Sequence, residues 1–163
     1  MIEKFGFSDC VIYVLNEEKK VFEQLAAYGE TKAKGRKILN PITIPFGEGV
    51  VGWVANNAKA EIIKDTRQDS RYISDDLVRL SEICVPIIYE GKVLGVIDSE
   101  HDEANFFNQK HLENLQTIAN LSATRIKNAK AKRKQVAAEM ELRESEKKLR
   151  TIIESALYAI ITI

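Results

Sequence analysis

The sequence predicts an α+β chain, an antiparallel sheet followed by one long helix, and three observations predict it. Two pairs of β-rich runs are each joined by a short polar connection. The apolar period lengthens from two to three or four after Asn108, and no Gly or Pro appears from there to the end. With 163 residues, 45% of them hydrophobic, the chain is long enough for one core plus an appendage.

The first pair is Asp9 to Leu15 (DCVIYVL) and Lys20 to Tyr28 (KVFEQLAAY), joined by Asn16-Glu17-Glu18-Lys19. Gly29 to Asn40 is polar and reads as a loop; Pro41 then introduces a brief strand, Ile42-Thr43-Ile44, that Pro45 ends. Gly47, Gly49 and Gly52 precede and interrupt an apolar stretch ending at Asn56-Asn57, which suits a tight turn feeding a short buried helix. Glu61 to Lys64 is a short strand, and Asp65 to Leu80 an irregular segment with single helical turns, because its apolar residues keep no period. Glu82 to Tyr89, the turn Glu90-Gly91, and Lys92 to Glu100 form the second hairpin. Pro86 cannot donate to a ladder, so its strand should be an edge or bulged there. Trp53, inside the short helix, is a core residue by this reading.

From Asn108 a helix is expected to run to about Ser155. Forty-odd residues at 1.5 Å each extend on the order of 70 Å, beyond the width of a small domain. Ala119, Ser122, Ile126, Ala129, Arg133, Val136 and Met140 keep a 4-3 spacing, while Leu149, Ile152, Ile153 and Ala156 fall out of phase. The expectation is an interrupted coiled coil, a parallel homodimer whose poorly apolar seam shifts at low cost.

Residues 1–124 hold 14 basic and 19 acidic side chains, and residues 125–163 hold 10 and 5. The basic run around Lys130 to Lys134 has no interleaved aromatics and is followed by four glutamates, so a solvated helix face is expected and no nucleic-acid contact. No basic-then-apolar leader or bilayer-length apolar run occurs, which points to a cytoplasmic segment without membrane contact. Cys10 and Cys84 sit in apolar runs and are expected to be buried, reduced thiols. His101 and His111 read as surface histidines. No phosphate loop, metal-ligand spacing or cofactor motif is present, so no cofactor and no metal are expected.

The stretches IPFGEGVVGWVANNAKAEIIKDTRQDSRY, SEICVPIIYEGKVLGVIDSEH and HLENLQTIANLSATRI, in that order, resemble the GAF domain of bacterial signalling proteins over roughly residues 5 to 130. The final RESEKKLRTIIESALYAIITI resembles the lead-in helix and first strand of a PAS domain. The resemblance implies a GAF-like antiparallel sheet of about six strands flanked by helices, with residues 1–125 as the GAF domain, 126–155 as a coiled-coil linker and 156–163 as a truncated PAS start. It further implies the middle of a sensor histidine kinase in a two-component phosphorelay, with downstream PAS and kinase domains as partners. A strand at Ala159 to Ile163 would lack sheet partners and is expected to be misplaced or frayed.

A GAF subfamily that reduces free methionine sulfoxide offers an enzymatic alternative. Its resemblance makes Glu82, Asp98 and Glu100 the acidic groups that hold the substrate's ammonium. The position its catalytic cysteine would occupy is Asp75 here, and a carboxylate cannot attack a sulfoxide and resolve through a disulfide. Cys84 lies in the strand among apolar neighbours that would raise its pKa. The expectation is therefore that this segment is not an enzyme and that it binds a small molecule or partner, or has lost binding and serves as a dimerisation spacer. Glu82, Asp98 and Glu100, with Asp75 and Tyr72 from the irregular segment, are the candidate ligand residues. Two readings of the three strand carboxylates stand open: exposed groups or groups bonded to loop amides, and a cluster for a small cationic or amino-bearing ligand. Asp98 and Glu100 share a strand face.

Overall fold

A computed structural model describes residues 6–35, 37–74 and 77–161 of the chain. In chain order the elements are β1 (Cys10–Asn16), β2 (Val21–Tyr28), β3 (Ala33–Lys34), β4 (Lys37–Ile38), β5 (Thr43–Pro45), α1 (Gly49–Asn57), β6 (Glu61–Ile63), β7 (Ser81–Tyr89), β8 (Lys92–His101) and α2 (Gln109–Ile161). Six strands form one antiparallel sheet in the order β5-β2-β1-β8-β7-β6, and β3 pairs with β4 alone. The fold is the expected α+β one.

Both hairpins form where the sequence placed them. At the β7–β8 turn Glu90 and Gly91 have φ of 48° and 76°, the pair of left-handed conformations that matches the twist of flanking strands. β1 and β8 then pair antiparallel, Val11 opposite Asp98 and Tyr13 opposite Val96, which joins the two hairpins into one sheet. β7 is an inner strand, yet β6 reaches only Glu82 to Cys84 along it. Pro86 thus lies beyond the end of its neighbour, where its missing N–H leaves no ladder bond unmade, and a bulge follows between Ile87 and Ile88.

Three local expectations are corrected. The Gly29 to Asn40 loop contains the β3–β4 ladder, and Lys32 N and Ala33 N both donate to Gly29 O. Pro45 belongs to β5, an edge strand where proline is tolerated. The strand expected at Ala159 to Ile163 is instead helix through Ile161, with Thr162 and Ile163 outside the described residues. Extending an existing helix adds one bond per residue fixed, whereas a lone strand has no ladder to join.

One sheet face carries Val11, Tyr13, Phe22, Ile44, Cys84 and Val96, which form a core with Val50, Val51, Val54 and Ala55 of α1. The turn before α1 folds tightly onto the helix because Gly52 has no side chain: a Cβ there would stand 2.6 Å from the Gly47 carbonyl carbon. Ala58, left-handed at φ 51°, ends α1 by donating its N–H to Val54 O. Trp53 is only partly buried against this core. On the other face Ile83, Val85, Ile87 and Ile97 are fully buried, and Leu115, Ala119 and Ala123 of α2 are buried too.

The chain divides into two compact units, Met1–Thr124 and Arg125–Ile163. In the second, every described side chain from Ala131 to Tyr158 is exposed. Glu144–Lys148 and Arg150–Glu154 pairs at helical spacing line it. Among the described residues no helix is long and apolar enough to cross a membrane.

Candidate functional site

Pairing across β7 and β8 sets Glu82 opposite Glu100 and Cys84 opposite Asp98, so all four side chains leave the same face of the sheet. That face is the one α1 covers. The carboxyls are therefore interior: Glu82 is 4% exposed, Asp98 9% and Glu100 5%. The reading that they are exposed groups is overturned, because the register puts them beneath the helix.

Their surroundings explain their charge states. Burial first, and then the Glu100 charge, pushes Glu82 up to about 8. Burial, followed by Asp98 and Asp9, raises Glu100 to about 9. Asp98, buried and facing Glu82, is raised well above the carboxylate range and hydrogen-bonds to Glu82. Two oxygens of this pair, Glu82 Oε2 and Asp98 Oδ1, are buried without a hydrogen-bond partner.

A second layer holds the cluster. Glu100 N donates to Asp9 Oδ1 at 3.0 Å, and Ser99 Oγ donates to Asp9 O. Lys32 Nζ stands 3.6 Å from Glu100 Oε2 and 4.0 Å from Asp9 Oδ2. Arg79 Nε lies 3.4 Å from Asp9 Oδ2, and Arg79 also pairs with Asp102. Among the described residues, four buried carboxyls thus meet two buried cations.

The irregular segment supplies the wall. Arg71 donates to both oxygens of Glu61 at 3.0 and 3.1 Å, pairs with Asp69, and lies 4.9 Å above the Trp53 ring. This clamp positions Tyr72 and Ile73. The Tyr72 hydroxyl accepts from Arg79 N at 3.1 Å and hydrogen-bonds Glu100. Ile73 closes over Gly49, where a Cβ would meet Ile73 Cδ1 at 2.9 Å. What remains is a cavity of about 20 Å³ lined by Glu82, Asp98 and Glu100 together with Tyr13, Ile44, Val50 and Ile73. That is room for about one water.

Tyr72, Glu82, Asp98 and Glu100 therefore meet as one site, while Asp75 lies outside the described residues. Sequence reading missed Asp9, Lys32 and Arg79. Asp9 had a trace, a charge opening an otherwise apolar strand; Lys32, in a polar loop, had none. Cys10 and Cys84 are free and buried. Burial chiefly, with Asp98 and Glu82, raises the Cys84 thiol, so carboxyls add to the apolar surroundings expected. Cys10 lies next to Val11, which shares the face of Asp98 and Cys84, so Cys10 points to the opposite face and cannot pair with Cys84. His101 and His111 are not simple surface groups: His101 stacks on Phe106 at 3.5 Å and His111 packs edge-on against Phe7. Of the helix positions, Ala119 and Ile126 are buried and Ser122 half-buried, while Ala129, Val136 and Met140 are exposed.

Residues 1–127 match the family model of the GAF domain. The chain is 34% identical over 89 residues to Protein YtsP of Bacillus subtilis, covering 50% of this chain and 55% of that protein. It is 38% identical over 79 residues to the free methionine-R-sulfoxide reductase of Saccharomyces cerevisiae, covering 48% and 44%. The chain thus spans about half the length of the curated relatives it matches. The GAF domain of an Acinetobacter phosphoenolpyruvate-protein phosphotransferase shares the fold, with a TM-score of 0.69, 21% identity, and coverage of 79% of this chain and 76% of that one. The expectation that this segment is not an enzyme is overturned: a relative aligned across half of the chain is a reductase.

Proposed function

The chain belongs to the GAF domain family, and on that premise we propose that it receives a free amino acid of the methionine sulfoxide type, its ammonium between Glu82, Asp98 and Glu100. The observation that carries this reading is the excess of buried carboxyls over buried cations at a cavity whose other lining side chains are largely apolar. An ammonium supplies three donors and a positive charge where two carboxyl oxygens lack partners. The apolar lining suits an aliphatic or thioether side chain. The name of the yeast relative, a free methionine-R-sulfoxide reductase, supports the choice of ligand.

Binding requires Ile73 to swing away, because the closed cavity of about 20 Å³ cannot hold an amino acid. Isothermal calorimetry with methionine-R-sulfoxide is expected to show heat with the parent chain. In Ile73→Ala affinity rises several-fold, because the closing side chain no longer has to be displaced. No heat in either protein would sink the reading. Incubation with the sulfoxide and a thiol reductant tests the chemistry. Reduction lost in Cys84→Ser would assign it to that thiol, which would take the sulfoxide oxygen as a sulfenic acid and release methionine; two external thiols would then restore it with loss of water.

A second reading is favoured by apolar side chains along the distal helix: Val136, Met140, Leu149, Ile152 and Ile153 are 45 to 68% exposed. In it the helix pairs with a second copy and relays the state of the GAF body, in the setting of a sensor histidine kinase with a downstream PAS domain. Light scattering across a concentration series would give a dimer mass that Met140→Glu and Ile152→Glu together return to monomer. A monomer throughout would exclude it.

A further inference from the structure

Glu82 and Asp98 share their sheet face with a thiol. Cys84 pairs with Asp98 across β7 and β8 and lies two residues from Glu82. One donor atom from each of Glu82, Cys84 and Asp98 falls within 4.8 Å of the other two. Both carboxyls are at least nine-tenths buried, and Glu82 Oε2 and Asp98 Oδ1 have no hydrogen-bond partner. Buried lone pairs left unmatched are costly, and a cation is one of the few bodies small enough to match them here.

The donor set selects among cations. Magnesium and calcium take six or more oxygens and gain nothing from sulfur. An ion of the zinc type accepts one thiolate and two carboxylates, with bonds of about 2.0–2.3 Å that in tetrahedral geometry hold donors roughly 3.3–3.8 Å apart, so the three side chains must draw together by up to about 1 Å to complete the site. The cavity of about 20 Å³ is lined by Glu82 and Asp98 and not by Cys84, so it lies to one side of the three donors, with room for one water as a fourth ligand and no movement of Ile73.

We propose that Glu82, Cys84 and Asp98 form a site for a thiophilic divalent cation of the zinc type, three protein ligands with a fourth position facing the cavity. The site goes beyond amino-acid recognition and does not rest on it. Metal entry displaces the thiol proton, so uptake strengthens as pH rises.

The test uses the purified full chain, stripped by chelator and titrated with zinc chloride and, separately, with cobalt chloride. Stoichiometric zinc uptake with proton release is expected, together with a thiolate-to-cobalt charge-transfer absorption. Cys84→Ser abolishes that absorption, Cys10→Ser keeps it, and Asp98→Asn weakens zinc binding by about tenfold or more. Circular dichroism checks each variant; should Cys84→Ser fail to fold, Glu82→Gln in the zinc titration carries the test. Absorption that survives Cys84→Ser, or zinc uptake unchanged in Asp98→Asn and Glu82→Gln, overturns the proposal. Calorimetry with methionine-R-sulfoxide in excess chelator separates the two readings. Heat there without zinc uptake by the stripped chain refutes the metal site alone, and zinc uptake without that heat refutes the amino-acid site alone.

Discussion

Asp98→Asn is expected to raise the thermal midpoint at pH 8 while abolishing the heat of amino-acid binding. In the unfolded chain Asp98 ionises near 3.9. In the folded chain burial, with Glu82 alongside, raises its pKa well above that. Between those two values the folded state holds a proton that the unfolded state has lost, so the stability that Asp98 contributes at low pH disappears as pH rises. Glu82, raised to about 8, and Glu100, raised to about 9, act in the same direction. Each proton held only by the folded chain costs roughly 1.4 kcal/mol per pH unit across that window. Asparagine has the same shape, donates to Glu82 as the protonated acid does, and carries no such linkage.

The accompanying pH profile has a clean region. His111, whose pKa burial lowers, adds stability as pH rises toward 6.5, opposing the carboxyls there. Asp65, Asp69 and Asp102 have lowered pKa values through their arginine partners, and their contribution is lost only below the ordinary carboxylate range. From pH 6.5 to 8 the buried cluster therefore dominates. Scanning calorimetry should show the parent midpoint falling by on the order of 10 °C or more across that interval, with a shallower fall in Asp98→Asn. A parent midpoint that climbs with pH, or a variant less stable than the parent at pH 8, would mean that these carboxyls are ionised and paired in the folded state. The proton linkage argued from burial would then fail, and Lys32 and Arg79 would be holding ionised carboxylates.

The hairpins were legible because their information is local: alternating β-rich runs, a Glu-Gly turn, and one proline that fits only where a neighbouring strand stops. Strand parity likewise put Asp98 and Glu100 on one face. Which face was not legible, because burial depends on where α1 lands. That is decided by the packing of Val50, Val51, Val54 and Ala55 against strands distant in the chain, which periodicity does not encode. Lys32 was invisible for a related reason. Its ammonium reaches Glu100 and Asp9 from a loop shaped by the small β3–β4 ladder, and nothing in a polar stretch marks one lysine among several as interior. The end of α2 failed in the opposite way. AIITI has strong strand propensity, yet propensity without a pairing strand yields to continuation of the helix before it.

Gly95→Ala is expected to be the most damaging single methyl in the sheet. An ideal Cβ on Gly95 would stand 2.1 Å from Tyr13 O and 3.2 Å from Val14 Cα. Both are backbone atoms of β1, so no rotamer change relieves the clash and β8 must move away from β1. The pairing at risk is the one that joins the two hairpins, Val14 opposite Gly95 and Val11 opposite Asp98. Overpacking that displaces backbone costs on the order of 3 kcal/mol, read as a drop in the urea midpoint. The damage should also reach the site, since Tyr13 lines the cavity and Asp98 lies three residues along β8. Gly91→Asn is the matched control: nothing stands within 4 Å of a Cβ there, and asparagine tolerates the left-handed φ of that turn. If Gly95→Ala matched the parent within about 0.5 kcal/mol, β1 and β8 would not be locked together by this close approach. The register that brings Glu82, Cys84, Asp98 and Glu100 under α1 would then need another cause.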